Sequence, residues 1–345
     1  MSLPEPAASS PPRRDVRIVE DALQRHGLTP VEIAAVGQWA LNQTFRARAG
    51  GRDFFVCIYR PGLEAPRLAA AERMARFVND AGIPAALPIV APDGKSTHVI
   101  ERRLVAVFPW VDGVTLPRGA IDPDGAHRLG EVLGRLHAVL AGYDDPALRS
   151  GGSGAHWETE QAIDVLSRVD DLIRYYPAPP AWQQDVQRTL RRRLETLESG
   201  AARPRSDFDS LATQPAHGDF HWRNVLFDGG GQVAAVVDWD MCGRLPPVYE
   251  VLRAVSFSEL LEEALLAAFL SGYRTNARIE PAVCHSGVEM WWQAQLHDTW
   301  AFRQRFIEGN RAVDPFFPDD AQRFERFSDP AFRHWLAEAL HRYAT

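Results

Sequence analysis

The stretch HGDFHWRNVLFD, from His217 to Asp228, decides how the chain is interpreted. It places Asp219 directly after His-Gly and Asn224 five residues later, and Asp238 follows in VAAVVDW. The apolar runs VLFD and VAAVVDW flank three consecutive glycines, a pattern that predicts a β-hairpin. Because a hairpin brings its two ends together, we expect Asn224 and Asp238 to converge, with Asp219 on the loop beside them.

These residue types suit phosphoryl transfer from ATP. One carboxylate can orient an acceptor hydroxyl and take its proton, while an amide oxygen and a second carboxylate can hold Mg²⁺ against the phosphate oxygens. Protein kinases carry a related signature, in which an aspartate is followed by an asparagine at the fifth place and later by a second aspartate. The pattern therefore predicts an ATP- and Mg²⁺-dependent phosphotransferase.

Composition excludes several other classes of protein. The 345 residues have a formal net charge of -7 and contain no block of Lys and Arg, which disfavours nucleic acid and anionic membrane surfaces as partners. No stretch approaches eighteen uncharged apolar residues, so we expect no membrane span. The three scattered cysteines argue against a disulfide framework and favour a cytoplasmic location. Residues 1–14 are rich in Pro and Ser and are expected to be a disordered tail; the oligomeric state is left open.

The remaining pattern predicts an α+β chain in two parts. Residues 15–113 contain a short helix followed by strand-like runs in the order strand, strand, strand, helix, strand, strand, which favours a small antiparallel sheet. Residues 114–345 are mainly helical by their apolar periodicity, apart from the one predicted hairpin.

At this point the chain resembles a known family. H-G-D-x-H-x-x-N followed by V-V-D-W-D is similar to the motif of the aminoglycoside phosphotransferase and choline kinase group of small-molecule kinases. FVCIYRPG resembles the third strand of that group, AVFPWVDGVTL its adenine-contacting hinge, and LGEVLGRLHAVL its first C-lobe helix. The resemblance extends over about residues 30 to 275. It implies a protein-kinase-like, two-lobed fold with a hinge near 107–113, a catalytic loop at 217–224 and a metal-binding segment at 238–240.

The resemblance also implies roles for the motif residues. Asp219 would be the catalytic base, and Asn224 and Asp238 would be the Mg²⁺ ligands. His221 occupies a position that lies near the transferring phosphate in this family, whereas His217 would be a structural residue of the loop.

The nucleotide site departs from the family pattern at one position. The backbone around Phe108, Trp110 and Val111 would contact adenine. Cys57 stands where the third strand usually carries the lysine that pairs with phosphate, and this leaves Glu72, the helix residue that would pair with that lysine, without a known partner.

The phosphate-covering turn lacks the usual glycines. The turn at residues 40–44, which includes Gln43, would take their place. We hypothesise that Arg46 or Arg48, on the second strand, supplies the missing positive charge.

The acceptor is predicted only as a class: an amino sugar, an aminoglycoside, an amino alcohol or homoserine. Asp240 could contact the substrate, support the metal segment or lie on the surface. Late helices line the acceptor pocket in the family, so Trp291 and Asp298, on a different helical face from the core residues Trp292 and Leu296, could bind an amine or a sugar. The alternative is a packed helix with one polar side.

Two rival functions stay open. His217, Asp219, His221 and Asp238 could ligate a transition metal in a hydrolase, in which case zinc would bind without affinity for ATP. A pseudokinase would bind ATP without turnover, and the missing lysine is compatible with that function.

Overall fold

Five antiparallel strands form the sheet that the sequence predicts for the first part of the chain. They follow one another in space in the order β1-β2-β3-β5-β4. Their bounds are Pro30–Ala35 (β1), Gln43–Ala49 (β2), Arg52–Ile58 (β3), Thr97–Ile100 (β4) and Arg103–Pro109 (β5).

The structure is a computed structural model that describes residues 12–36, 42–117, 119–148, 157–175, 181–200, 208 and 211–344. Most of the predicted tail, and the first two residues of the predicted phosphate-covering turn, lie outside the described residues. Contacts divide the chain into a sheet unit, residues 1–115 with Asn224–Met241, and a helical unit, Leu116–Arg223 with Cys242–Thr345.

The core of the sheet unit follows from side-chain alternation. On β2, Phe45 and Ala47 are buried, whereas Arg46 and Arg48 point to the exposed face. The buried face packs against α1 (Arg13–Arg25), and α2 (Ala65–Asp80) connects β3 to β4. Strands β2 and β3 are joined at Gly50 and Gly51, whose φ angles of 55° and 73° are ones that glycine adopts without steric cost.

The predicted glycine hairpin is present and consists of β7 (Val225–Phe227) and β8 (Val233–Val236). The sequence placed it within the helical part of the chain, but in the structure it packs in the sheet unit. Val236 exchanges backbone hydrogen bonds with Pro84 and Ala86 in the segment after α2, at 2.8 and 2.9 Å. Val114 pairs with Phe227 in both directions at 2.8 Å, so the segment after β5 fixes the position of this hairpin.

The helical unit contains the remaining helices and one short strand pair. Helices α3 and α7 lie in near-contact at their backbones, since a Cβ added at Gly130 would come within 1.9 Å of the Phe269 carbonyl oxygen. Among the described residues, no helix combines the length and apolar content needed to cross a lipid bilayer. The elements are α3 (Pro123–Leu140), α4 (Thr159–Arg174), α5 (Ala181–Glu198), β6 (Gln214–Ala216), β9 (Gly243–Leu245), α6 (Pro247–Phe257), α7 (Glu263–Arg274), α8 (Cys284–His297), α9 (Trp300–Phe302), α10 (Phe317–Ser328) and α11 (Pro330–Ala344).

Candidate active site

A buried carboxylate fixes the His-Gly-Asp loop in the helical unit. Glu250, on α6, is fully buried and accepts a hydrogen bond from the backbone N–H of Gly218. Its other oxygen pairs with His137 Nε2 at 2.9 Å, and His137 Nδ1 lies 2.8 Å from the Tyr273 hydroxyl. Gly218 has φ of 83°, a conformation that favours glycine. Helices α3, α6 and α7 together therefore set the position of the loop backbone.

The electrostatics of this support keep Glu250 ionised. Burial alone would raise the pKa of its carboxyl group, but the hydrogen bonds from His137 and Gly218 outweigh burial and lower the pKa below its usual value. A buried carboxylate with both oxygens engaged is stabilising only while its partners remain.

Asp219 follows directly and is brought next to two other functional groups. Arg253, one turn beyond Glu250 on α6, donates to Asp219 Oδ1 from Nε at 3.1 Å and also from Nη2. His221 Nε2 lies 3.6 Å from Asp219 Oδ2. Burial would raise the pKa of the Asp219 carboxyl, but Arg253 and His221 hold it well below its usual range. The carboxylate is therefore ionised, and the predicted pair Asp219 and His221 is adjacent.

Replacing Arg253 with Gln should shift the acid limb of the pH–activity profile to higher pH. Arg253 lowers the pKa of Asp219, so the wild-type carboxylate stays ionised to lower pH, and removing the guanidinium moves its titration upward. The measurement is kcat/KM against pH for both proteins with one acceptor. An unchanged acid limb, together with a uniform loss of rate at every pH, would assign Arg253 a purely structural role.

The predicted metal ligands fall in the sheet unit. Asn224 directly precedes β7 and is buried. Its backbone carbonyl oxygen accepts the N–H of Val237 at 3.0 Å, and this hydrogen bond closes the open end of the hairpin. Asp238 comes one residue later with φ of 64°, an uncommon conformation for a residue other than glycine that Asp and Asn tolerate best. An amide oxygen and a carboxylate are the hard donors that Mg²⁺ prefers, so this set fits the ion.

Asp240 is buried and paired, which excludes a surface position. Its Oδ2 accepts from Arg60 Nη1 at 2.5 Å and from Asn42 Nδ2 at 3.0 Å. Asn42 Oδ1 in turn accepts the backbone N–H of Arg60 at 3.0 Å. The segment after β8 is thereby tied to the start of β2 and the end of β3.

Cys57 is a buried thiol of raised pKa, as expected for a small core residue. The first cause is burial, and the charges of Asp238 and Asp240 add to it, whereas Arg60 acts in the opposite direction. Cys57 therefore lies within the electrostatic reach of Asp238 and Asp240, and Arg60, which contacts Asp240, lies in the same region. Glu72 has partners after all, since Arg76 Nη2 donates to it at 2.9 Å and Ser96 Oγ also donates to it.

The arginines proposed to replace the lysine are paired elsewhere. Arg46 and Arg48 both contact the Asp53 carboxylate, Arg48 at 3.3 Å. The Arg46 guanidinium also lies 4.6 Å from the ring centre of Trp110, the residue after β5. Gln43 Nε2 donates to Asp15 on α1 at 3.1 Å.

The predicted adenine-contacting segment leaves β5 at Pro109. Phe108 is half-buried and packs edge-on against Phe55 at 6.2 Å between ring centres. Trp110 and Val111 are also half-buried, so each presents part of its surface. A Cβ at Gly113 would lie 3.0 Å from the Leu226 Cβ, so this segment packs directly on the β7–β8 hairpin.

The helical face that carries Trp291 is itself buried, so the expectation that this face lies outside the core is wrong. The Trp291 side chain is 1% exposed and packs edge-on against Tyr249 and Phe257, at 5.2 and 6.2 Å. Helix α8 is covered on two sides, so its neighbour Trp292 is buried as well. Asp298, at the C-terminal end of α8, is half-buried, and burial raises the pKa of its carboxyl.

Three functional candidates were missed by sequence reasoning, namely Glu250, Arg253 and Arg60. A signal existed for the first two, because a Glu and an Arg in the largely apolar helix PVYEVLRAVSF are expected to be paired inside the protein. No local signal marks Arg60, whose partner Asp240 is 180 residues away in sequence.

Comparison with known proteins identifies the class. The profile of the phosphotransferase enzyme family matches residues 32–283, and the chain belongs to this family of small-molecule kinases. No curated protein matches.

Solved structures show the same fold at low sequence identity. An amicoumacin kinase in complex with AMP-PNP, Ca²⁺ and Ami is 16% identical over 95% of this chain and 94% of its own, with a TM-score of 0.62. A spectinomycin phosphotransferase in complex with ADP and spectinomycin is 15% identical over 94% and 98%, with a TM-score of 0.63. A microcompartment-associated aminopropanol kinase is 18% identical over 96% and 100%, with a TM-score of 0.62.

Proposed function

We propose that the enzyme transfers the γ-phosphoryl group of ATP to a hydroxyl of a small molecule, with Asp219 orienting that hydroxyl and accepting its proton. The observation that carries this proposal is the environment of Asp219, a largely buried, ionised carboxylate paired with Arg253 and placed on a loop that Glu250 fixes. Phosphoryl transfer asks mainly for positioning and charge stabilisation from the protein. A carboxylate of low pKa is a weak base, so the main contribution of Asp219 is to orient the acceptor hydroxyl. It accepts the hydroxyl proton late in the reaction, when the forming bond to phosphorus has made that proton acidic.

Asn224 and Asp238 would hold Mg²⁺, which would offset the negative charge of the phosphate groups when it is bound. The donor chemistry of this pair supports the assignment, as do the left-handed backbone at Asp238 and the solved relatives with AMP-PNP and Ca²⁺ or with ADP. We retain the backbone at Phe108, Trp110 and Val111 as the proposed contact for adenine. His221, beside Asp219, is proposed to lie near the transferring phosphate.

Arg60, in place of the absent lysine, is proposed to supply positive charge next to the metal segment. It contacts Asp240, two residues after Asp238, whereas the alternative cation Arg46 pairs with Asp53. Arginine carries its charge at every relevant pH and can make several hydrogen bonds to phosphate. Cys57 remains beside it as a neutral, buried thiol.

Arg60→Gln should weaken the affinity for Mg-ADP by about tenfold, or about 1.4 kcal/mol, while Arg60→Lys retains most of it. Calorimetry on both variants and on Arg46→Gln measures the effect. The unfolding temperature of each protein without ligand is recorded too, because Asp240 loses a partner in the Gln variant. Weaker binding in Arg46→Gln alone would assign the charge to Arg46 instead.

The acceptor is proposed to carry an amine as well as the hydroxyl. Asp298 accepts the backbone N–H of Trp300 at 3.0 Å, and its charge acts on Tyr249 and on Arg253, the partner of Asp219, while Arg193 and Arg323 act on Asp298 in turn. Burial disfavours the ionised form of the Asp298 carboxyl and raises its pKa, and an ammonium group bound beside it would stabilise that ionised form. The buried Trp291 would then not contact the acceptor itself but would fix the position of Tyr249 in the wall of the acceptor pocket.

A panel of amino sugars, aminoglycosides, amino alcohols and homoserine, assayed by ADP release, tests the proposed function. We expect acceptor-dependent release that requires Mg²⁺ and is lost in Asp219→Asn. Tight nucleotide binding without turnover for any acceptor would favour the pseudokinase.

Zinc binding without nucleotide affinity would favour a hydrolase, but the structure does not support that function. Among the described residues, the only set of three potential metal ligands with all ligand atoms close together lies elsewhere, on α8 and α11. The Nδ1 atom of His217 is engaged by the N–H of Asp219 at 3.2 Å.

A further inference from the structure

Two histidines and a glutamate converge on the surface between α8 and α11. His285 lies in the first turn of α8, and His334 and Glu338 lie on α11. One ligand atom from each residue lies within 4.8 Å of the others. His285 Nε2 is 3.3 Å from Glu338 Oε1, and the two imidazole rings are 5.6 Å apart at their centres.

The helices present these donors on a fixed frame. His334 and Glu338 are four residues apart and so project from the same face of α11. The start of α8 is set by Gly287, where an added Cβ would lie 2.4 Å from a methyl group of Val248 on α6. The donors therefore belong to helices of the packed helical unit and not to loops.

A cavity of about 340 Å³ opens at this position, lined by His285, His334, Glu289 and Arg333 among others. Arg333 brings a positive charge, but Glu289 accepts its Nε at 2.8 Å and the Phe327 carbonyl accepts its Nη1 at 2.6 Å. Arg333 is paired to Glu289, and Glu338 contacts His285, so a bound cation would replace this one contact and meet the Glu338 carboxylate directly. Because His285, His334 and Glu338 are exposed, an ion can reach all three from solvent.

We propose that His285, His334 and Glu338 form a binding site for a divalent transition-metal ion of the zinc class. Imidazole nitrogen suits zinc, copper and nickel, whereas Mg²⁺ and Ca²⁺ take mainly oxygen ligands, so two histidines in three donors select the former group. For a tetrahedral zinc ion with bonds of about 2.0–2.1 Å, neighbouring ligand atoms are about 3.3 Å apart. The pair His285 Nε2 and Glu338 Oε1 already has that separation, and a ligand atom of His334 lies within 4.8 Å of both, so this third donor would have to move closer to bind the same ion.

The bound ion would join α11, the last helix, to α8, and water would complete its coordination. This site lies outside the residues assigned to catalysis, so the ion is expected to act on stability and not on the chemical step. An ion that binds the folded protein alone stabilises it in proportion to the logarithm of its concentration over Kd.

Zinc binding to the nucleotide-free, full-length protein tests the site. The protein is stripped with a chelator, desalted, and titrated with Zn²⁺ against a chromophoric competitor; unfolding temperature is followed in parallel. We expect one equivalent of tightly bound zinc. His285→Ala and His334→Ala should each weaken it by at least about tenfold, as should the isosteric Glu338→Gln. Co²⁺ in place of Zn²⁺ should give the visible absorption of a tetrahedral complex in wild type only.

His341→Ala is the matched control, because His341 is also exposed and lies on the same helix. It should retain wild-type zinc affinity and the zinc-induced rise in unfolding temperature. The proposal is overturned if zinc does not bind, if the three ligand variants bind it as wild type does, or if His341→Ala loses as much affinity as they do. Circular dichroism of each variant without metal shows that the fold is retained, so a lost affinity is attributable to the missing ligand.

Discussion

Asp219→Asn should lower kcat by about 10²- to 10⁴-fold, the range that a positioned general base contributes. The substitution is close to isosteric, and the amide oxygen of Asn can still accept a hydrogen bond from Arg253. The hydrogen bond from Gly218 to Glu250 does not involve the Asp219 side chain, so the loop backbone keeps this support. What is lost is the negative charge that orients the acceptor hydroxyl and the site that receives its proton. The measurement is acceptor-dependent ADP release with the best substrate from the panel.

Nucleotide affinity separates a catalytic role of Asp219 from a structural one. Calorimetry with Mg-ADP should give the same Kd for Asp219→Asn and for wild type, since no nucleotide contact is assigned to Asp219. If the variant turns over at the wild-type rate, Asp219 is not the base. If it loses both turnover and unfolding temperature, the residue is a structural one.

Asp238→Asn should abolish most of the stabilisation that Mg-ADP gives to the protein. At a ligand concentration 100 times Kd, wild type gains about 2.7 kcal/mol, whereas a variant that binds about 100-fold more weakly gains about 0.4 kcal/mol. Asn is the replacement of choice because Asp238 has φ of 64°, where alanine would add backbone strain of its own. Thermal unfolding of wild type and variant with ADP, in the presence and absence of Mg²⁺, gives the stabilisation of each protein by Mg-ADP.

The control for Asp238 lies on the same hairpin. Asp228 is exposed in the glycine turn, and its Oδ1 accepts the N–H groups of Gly230 and Gln232 at 2.8 and 2.9 Å. Asp228→Asn removes one negative charge from the hairpin without touching the proposed ligands, so Mg-ADP should stabilise it as it does wild type. Equal losses in both variants would mean that general charge, and not metal coordination, explains the effect.

The features that could be predicted from sequence are those set by local pattern. Alternation of apolar and polar residues on either side of consecutive glycines predicts the β2–β3 and β7–β8 pairings, because each pairing depends on residues that are close in sequence. The positions of Asp219 and His221 side by side likewise follow from one short loop.

What could not be predicted depends on distant partners. Arg253 is 34 residues from Asp219, and Arg60 is 180 residues from Asp240, so no spacing rule connects them. Trp291 was misplaced because an amphipathic pattern assumes one buried face, whereas α8 is covered from two sides by aromatic side chains such as Tyr249 and Phe324.

The sheet unit is not a continuous piece of chain, and this limits how the enzyme can be engineered. A gene fragment ending at Thr115 would encode the five strands but not Asn224–Met241, so Pro84 and Ala86 would lose their partner Val236. A chimera that takes its helical unit from another kinase should therefore exchange residues 116–223 and 242–345 while leaving the intervening eighteen residues native. A single crossover at the boundary would combine strands from one parent with a hairpin evolved against another.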